Sequence, residues 1–202
     1  SILESELSNP LAAIEAIQQA IAISPFVPDY QVLLGKLQLQ NGLLEDAHQA
    51  FKKATMMQPC AEHFFLVGQV NQHLGDLDAA KKSLKEAAKC DPTHVETLLH
   101  LGLIYDAEGK EQRSLQLWTN GHQAAPQHPQ ICEVLAAWYG RAAELKFSSD
   151  PRSALQHIET ALTFLASAAL LHQRAELLLA LGNLEDAERS CLEVAQSQQQ
   201  LG

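Results

Sequence analysis

Nine histidines and four cysteines are the residues of this chain whose types could hold a metal ion or move a proton. Their spacing argues against both. No H-E-x-x-H pair places two imidazoles one turn apart on a helix, and Cys60 with His63 forms a lone C-x-x-H without the second pair that a closed zinc site needs. His94 and His100 are six residues apart, as are His122 and His128, which puts them on different faces of a helix or across a loop. There is no G-x-S-x-G elbow, glycine-rich phosphate loop or dinucleotide fingerprint. The acids Glu45 with Asp46, and Glu185 with Asp186, precede apolar segments of helical period, where carboxylates complement the positive end of a helix. The reading is a non-enzyme with no catalytic residues, metal or cofactor. Its histidines serve packing or the surface, and its widely spaced cysteines are reduced, buried helix residues.

The elements that must carry these residues are helices. Leu and Ala supply 62 of 202 residues while Val, Ile and Thr supply 21, a bias toward helix formers and away from strand formers. The hydrophobic fraction of 47% supplies a core, which excludes disorder along the whole length. A formal charge of −10 opposes a phosphate backbone, so nucleic acid is not an expected partner. No apolar run approaches the roughly 20 residues that span a bilayer, so direct membrane insertion is not expected either. A cytoplasmic location is the expectation.

The chain repeats itself. Leu34-Gly35, Val67-Gly68 and Leu101-Gly102 recur at intervals of 33 and 34 residues, and each is followed seven residues later by Gly42, Gly75 or Gly109 at the point where a helix should end. Ala47 with Ala54, and Ala80 with Ala87, then mark a second helix, and Pro59, Pro92 and Pro126 close each unit. Apolar residues recur three and four apart between these marks, as in Leu43, Ala47, Ala50, Phe51 and Ala54, so each unit is two helices.

This pattern resembles the tetratricopeptide repeat, whose consensus runs W-x2-L-G-x2-Y, then A-x3-F, then P. Gln31, Leu34, Gly35, Gln38, Ala47, Phe51, Ala54 and Pro59 match the first clear unit, with Gln in place of both aromatics of the first helix. Phe64, Val67, Gly68, Asn71, Ala80, Leu84, Ala87 and Pro92 match the second, and Leu98, Leu101, Gly102, Tyr105, Ser114, Trp118, Gly121 and Pro126 the third. The resemblance implies an all-α protein, an alpha-alpha superhelix (TPR solenoid) of antiparallel helix pairs. It forms a single array over 1–202, with 1–25 the end of a partial repeat, clear repeats at 28–59, 61–92 and 95–126, an expanded divergent repeat at 129–166 and a divergent terminal repeat at 168–202. Residues 145–152 hold the expansion, which should lengthen a first helix. Arg174 stands at a usual Leu position.

In the resembled family the first helix of each unit lines a concave groove that binds peptides or helices. The corresponding stripe here holds Asp29, Val32 and Lys36, then Glu62, Phe65, Gln69 and His73, then Glu96, Leu99, Leu103 and Asp106, then Glu133 and Arg141. These are the expected partner-binding residues. They make an acidic, partly apolar groove suited to a protein or peptide partner with basic and apolar side chains. The same apolar residues could instead pack neighbouring first helices together. The Lys, Arg and Asn clamp for chaperone C-termini is absent, because Val32, Lys36, Leu66, Glu96 and His100 occupy its positions. A groove ladder of asparagines is absent too, with Leu33, Leu66, His100 and Val134 in its place.

The resulting expectation is a protein-protein interaction scaffold or adaptor. Alternatives are the targeting arm of an enzyme whose catalytic domain lies elsewhere, and a self-associating module that stacks through an apolar end at Leu177, Leu178, Leu179 and Leu181.

Overall fold

The computed structural model describes residues 10–199, with side chains from 12 to 195. The outermost residues of the expected partial and terminal repeats lie outside that range. Eleven helices and no strand occur among the described residues: α1 (Pro10–Ile23), α2 (Pro28–Gln40), α3 (Leu44–Met57), α4 (Ala61–His73), α5 (Leu77–Cys90), α6 (Val95–Ala107), α7 (Glu111–Ala124), α8 (Pro129–Lys146), α9 (Pro151–Phe164), α10 (Ala168–Ala180) and α11 (Leu184–Gln199). The fold class is all-α, as the residue bias and the period of the apolar positions imply. The chain divides into two compact units, residues 1–117 and 118–202, the division falling within α7.

The turn chemistry is the same wherever a first helix gives way to its short-linked second helix. Gly42, Gly75, Gly109 and Gly182 all have positive φ, between 71° and 80°. The next residue donates its backbone N–H to the carbonyl five positions earlier: Leu43 to Gln38, Asp76 to Asn71, Lys110 to Tyr105 and Asn183 to Leu178, at 2.8–2.9 Å. This 6→1 bond satisfies a carbonyl that the helix end leaves open, and it needs a left-handed residue that glycine adopts without strain. Helix starts are set by prolines at the first turns of α2, α8 and α9, and by caps in which Asp76, Asp150 and Ser167 accept from the backbone N–H three residues on.

In the first unit α2 packs on α3 and α4 on α5, and the neighbours α3–α4 and α5–α6 are also in contact. Phe51 and Leu84, at the same repeat position, are fully buried among Val67, Val70, Leu101, Ile104 and Tyr105. Each such burial contributes about 2–3 kcal/mol. A polar clasp covers one edge of this core. Lys81 Nζ lies 2.7 Å from Glu108 Oε2 and 4.8 Å from the Tyr105 ring centroid, and Lys110 donates to the same carboxylate at 2.6 Å. Hydrogen bonds from Lys110 and Lys81 hold the Glu108 carboxyl at about 2.

In the second unit α8 packs on α9 and α10 on α11, with α9 against α10. Its core joins Ala136, Ala143, Ala154, Ile158, Ala161, Leu170 and Leu177. The expansion at 145–152 does lengthen a first helix: α8 has 18 residues where α2, α4, α6 and α10 have 13. The extra turn ends at Asp150, which caps α9 by accepting from Ser153 N at 3.2 Å.

Two sequence expectations need correction. Cys90 and Cys191 are exposed rather than buried, although all four cysteines are free. Cys191 occupies the repeat position of Phe51 and Leu84, which fill the core. Of the apolar end, Leu177 and Leu178 are buried inside the second unit, and only Leu179 and Leu181 are exposed, joined by Leu184 and Leu192 on α11. Arg174 does not leave a hole where Leu is usual. Its Nε donates to Ser190 Oγ at 2.9 Å and its guanidinium pairs with Glu193, a polar bond between α10 and α11 in place of apolar packing.

Candidate functional site

The first-helix stripe is carried in the first unit by α2, α4 and α6, whose buried sides hold Leu34 and Gly35, Val67 and Gly68, Leu101 and Gly102. Burial of those sides turns Asp29, Lys36, Glu62, His73, Glu96 and Leu103 toward solvent. Val32, Gln69 and Asp106 are half-buried.

A run of polar contacts crosses the three helices. Lys36 Nζ on α2 lies 3.2 Å from Glu62 Oε1 on α4, and His94 Nε2 lies 3.4 Å from Glu62 Oε2 and 3.9 Å from Glu96 Oε2. His94 is the residue just before α6. Its Nδ1 accepts from Thr97 N at 3.2 Å and contacts Thr97 Oγ1 at 2.8 Å, so in the neutral ring the proton sits on Nε2, aimed at Glu62. Farther along, His100 donates from Nδ1 to Gln72 Oε1 at 2.6 Å, tying α6 to α4. Burial is the main cause that pushes the His100 pKa below its usual value, with Glu96 opposing and His73 adding to the depression.

Phe65 and Leu99 are corrections to the predicted stripe. They are only 7% and 3% exposed, so they wall the helix contact and present nothing to a partner without rearrangement. The Phe65 ring sits 5.5 Å from the His94 ring and 5.2 Å edge-on from that of His100. An aromatic at that position looked like a groove residue because helical period alone does not reveal how closely the next first helix approaches. His94 and His100 are the residues that sequence reasoning did not single out as a site. The signal for His94 was local: a polar residue two after Pro92, with Thr97 three residues on, has the spacing of a helix cap.

In the second unit the predicted Glu133 and Arg141 line one cleft of about 280 Å³ between α8 and α10. Its apolar floor is Ala136, Ala137, Gly140, Ala169 and Leu170, and Glu144 and Gln173 stand at its side, joined by a 2.6 Å bond from Gln173 Nε2 to Glu144 Oε1. Small residues make the opening: a Cβ at Gly140 would already lie 3.3 Å from Leu170 Cδ2. The cleft is apolar along its floor and has the carboxylates of Glu133 and Glu144 in its lining.

Among the described residues no group of three or more His, Cys, Asp and Glu side chains could hold a metal ion. His63 is accounted for by a 2.7 Å bond from its Nδ1 to the Gln58 carbonyl. No described helix is long and apolar enough to cross a membrane.

Paired helices with a common turn, a common core position and an open first-helix face define an α-helical repeat protein that works by presenting surface. Two family models described as tetratricopeptide repeat match residues 2–63 and 61–94. These matches make residues 2–94 tetratricopeptide repeats. Over 57 residues the chain is 40% identical to tetratricopeptide repeat protein 8 of Caenorhabditis elegans, a stretch that covers 27% of this chain and 11% of that relative. Among solved structures it is similar to MamA, with 22% identity, a TM-score of 0.64, and 80% of this chain and 91% of that one covered. It is also similar to YrrB, described as a TPR protein with an unusual peptide-binding site, with 16% identity, a TM-score of 0.60, and 83% and 84% covered. These structural likenesses concern the fold.

Proposed function

We propose that this chain is a protein-interaction scaffold whose first helices receive a polypeptide segment with basic and apolar side chains. The observation that carries the reading is the recurrence of an exposed carboxylate at one repeat position, Asp29, Glu62 and Glu96, on three successive first helices. Such a row attracts cations spaced along an extended chain or a helix, and half-exposed carboxylates keep most of their hydration until a partner arrives. Val32 and Leu103 supply apolar contact in the first unit, and the α8–α10 cleft supplies it in the second. The peptide-binding site in the description of YrrB is consistent with this use of the fold.

The test is fluorescence anisotropy with a labelled amphipathic Lys/Leu peptide, and a Glu/Leu peptide of equal length as control. The scaffold reading expects the first to bind and the second not to. Charge reversal at Glu62, Glu96 and Asp106 together should weaken binding about tenfold or more while the helical circular dichroism stays intact. Unchanged affinity of the triple variant discards the first-helix face as the site.

A further inference from the structure

The second helices of the first unit expose a set of lysines. Lys52 and Lys53 on α3, and Lys82, Lys85 and Lys89 on α5, are all exposed. Lys82, Lys85 and Lys89 are three and four residues apart and form one stripe along α5. Lys89 pairs with Glu86 at 2.6 Å, whereas Lys52, Lys53, Lys82 and Lys85 make no ion pair among the described residues. In a chain of net charge −10 this is a local excess of unneutralised cations. Its field acts within the fold: after burial, Lys52 is the second cause that depresses the pKa of the neighbouring His48. The face is also partly apolar, because Met56, at the repeat position of Lys89, is 80% exposed.

Both charged rows advance once per repeat. Asp29, Glu62 and Glu96 are 33 and 34 residues apart, and Lys52 and Lys85 are 33 apart. Two copies laid with the first helices of one along the second helices of the other can therefore match cations to carboxylates on successive rungs. The basic and apolar composition that the first-helix face calls for is thus present on the chain itself.

We propose that the partner of the first-helix face is a second copy of this chain, docked through the Lys52, Lys82 and Lys85 side of α3 and α5. This rests on the first-helix face being the binding surface. The contact joins two different surfaces, so each copy keeps one of each free and association continues beyond the dimer. The net charge of −10 repels at long range, but at 0.15 M salt charges are screened over about 8 Å, which leaves the local match in control.

Sedimentation equilibrium on the full chain across a concentration series tests this. At 0.15 M salt the mass should rise past that of a dimer, and at about 1 M, where screening acts within about 3 Å, it should return toward the monomer. Lys52→Glu/Lys82→Glu/Lys85→Glu and Asp29→Lys/Glu96→Lys should each be monomeric alone, because each has two faces of one sign. Mixed, they should associate again, and thermal melts of each variant separate loss of contact from loss of fold. A monomeric wild type, or reversal variants that still self-associate, overturns the inference. The Lys/Leu peptide assay reads the first-helix face separately, so a wild type that binds peptide but stays monomeric refutes the self-partner alone.

Discussion

A Cβ placed on Gly35 would fall 2.6 Å from Phe51 Cε1, and one placed on Gly68 would fall 2.9 Å from Leu84 Cγ. The two contacts are one device repeated: a first helix without a side chain lets the large core residue of its partner helix lie against backbone. Gly35→Ala should therefore cost about 1–3 kcal/mol through overpacking, since Phe51 is fully buried and has little room to move. Gly140→Ala, whose added carbon would sit 3.3 Å from the movable end of Leu170, should cost less than Gly35→Ala. Urea denaturation of the two variants reads the order, and a Gly35→Ala protein as stable as the wild type would contradict the packing account.

That device was legible in the sequence because it is local and periodic. Small residues at 35, 68 and 102, large ones at 51 and 84, and glycines closing each first helix all repeat at one interval, and a repeat fold copies one local solution. Features that broke the period were harder to read. Phe65 fits the groove stripe by spacing, but its burial depends on how closely α6 approaches α4. Arg174 broke the Leu pattern, and nothing in the spacing pointed to Ser190 and Glu193 as its partners. The α8–α10 cleft depends on a coincidence of small residues in two helices and a linker, which no single-helix period displays.

The clasp of Lys81, Lys110 and Glu108 gives the first unit an acid-sensitive edge. Hydrogen bonds from Lys110 and Lys81 lower the Glu108 pKa from 4.5 to about 2. A carboxyl with a depressed folded value binds its proton first in the unfolded chain. Its stabilisation is present above about 4.5 and is lost as pH falls toward 2. Glu108→Gln should lower the melting temperature at pH 6 but change it little at pH 2. Equal losses at both pH values would mean that the side chain acts through packing.

Arg174 separates a polar bond from an apolar one at the same repeat position. Arg174→Ala removes the donor to Ser190 and the partner of Glu193, and should destabilise the second unit by about 1–3 kcal/mol. Arg174→Leu should cost less than the alanine variant. The Ser190 hydroxyl still donates to the Asp186 carbonyl at 2.9 Å, so it is not orphaned, and Leu restores the packing used at Leu34 and Leu101. Chemical denaturation followed by the second unit's Trp138 and Trp118 fluorescence orders the three proteins. A leucine variant weaker than the alanine variant would show that the site has no room for apolar packing.

His100 sets a second pH dependence at the centre of the first-helix face. Burial lowers its pKa below 6.5, with Glu96 acting in the opposite direction and His73 in the same one. The unfolded chain therefore takes up this proton at a higher pH than the folded chain does. The stability that goes with a neutral His100 is complete above about 6.5 and declines as the solution is made more acidic. Protonation also forces a charge into the contact between α4 and α6, where Nδ1 donates to Gln72 and the ring lies edge-on to Phe65. His100→Gln should flatten the fall in unfolding free energy between pH 7 and pH 5 relative to the wild type. Urea titrations at those two values measure it, and parallel declines in the two proteins would assign the acid sensitivity to other groups.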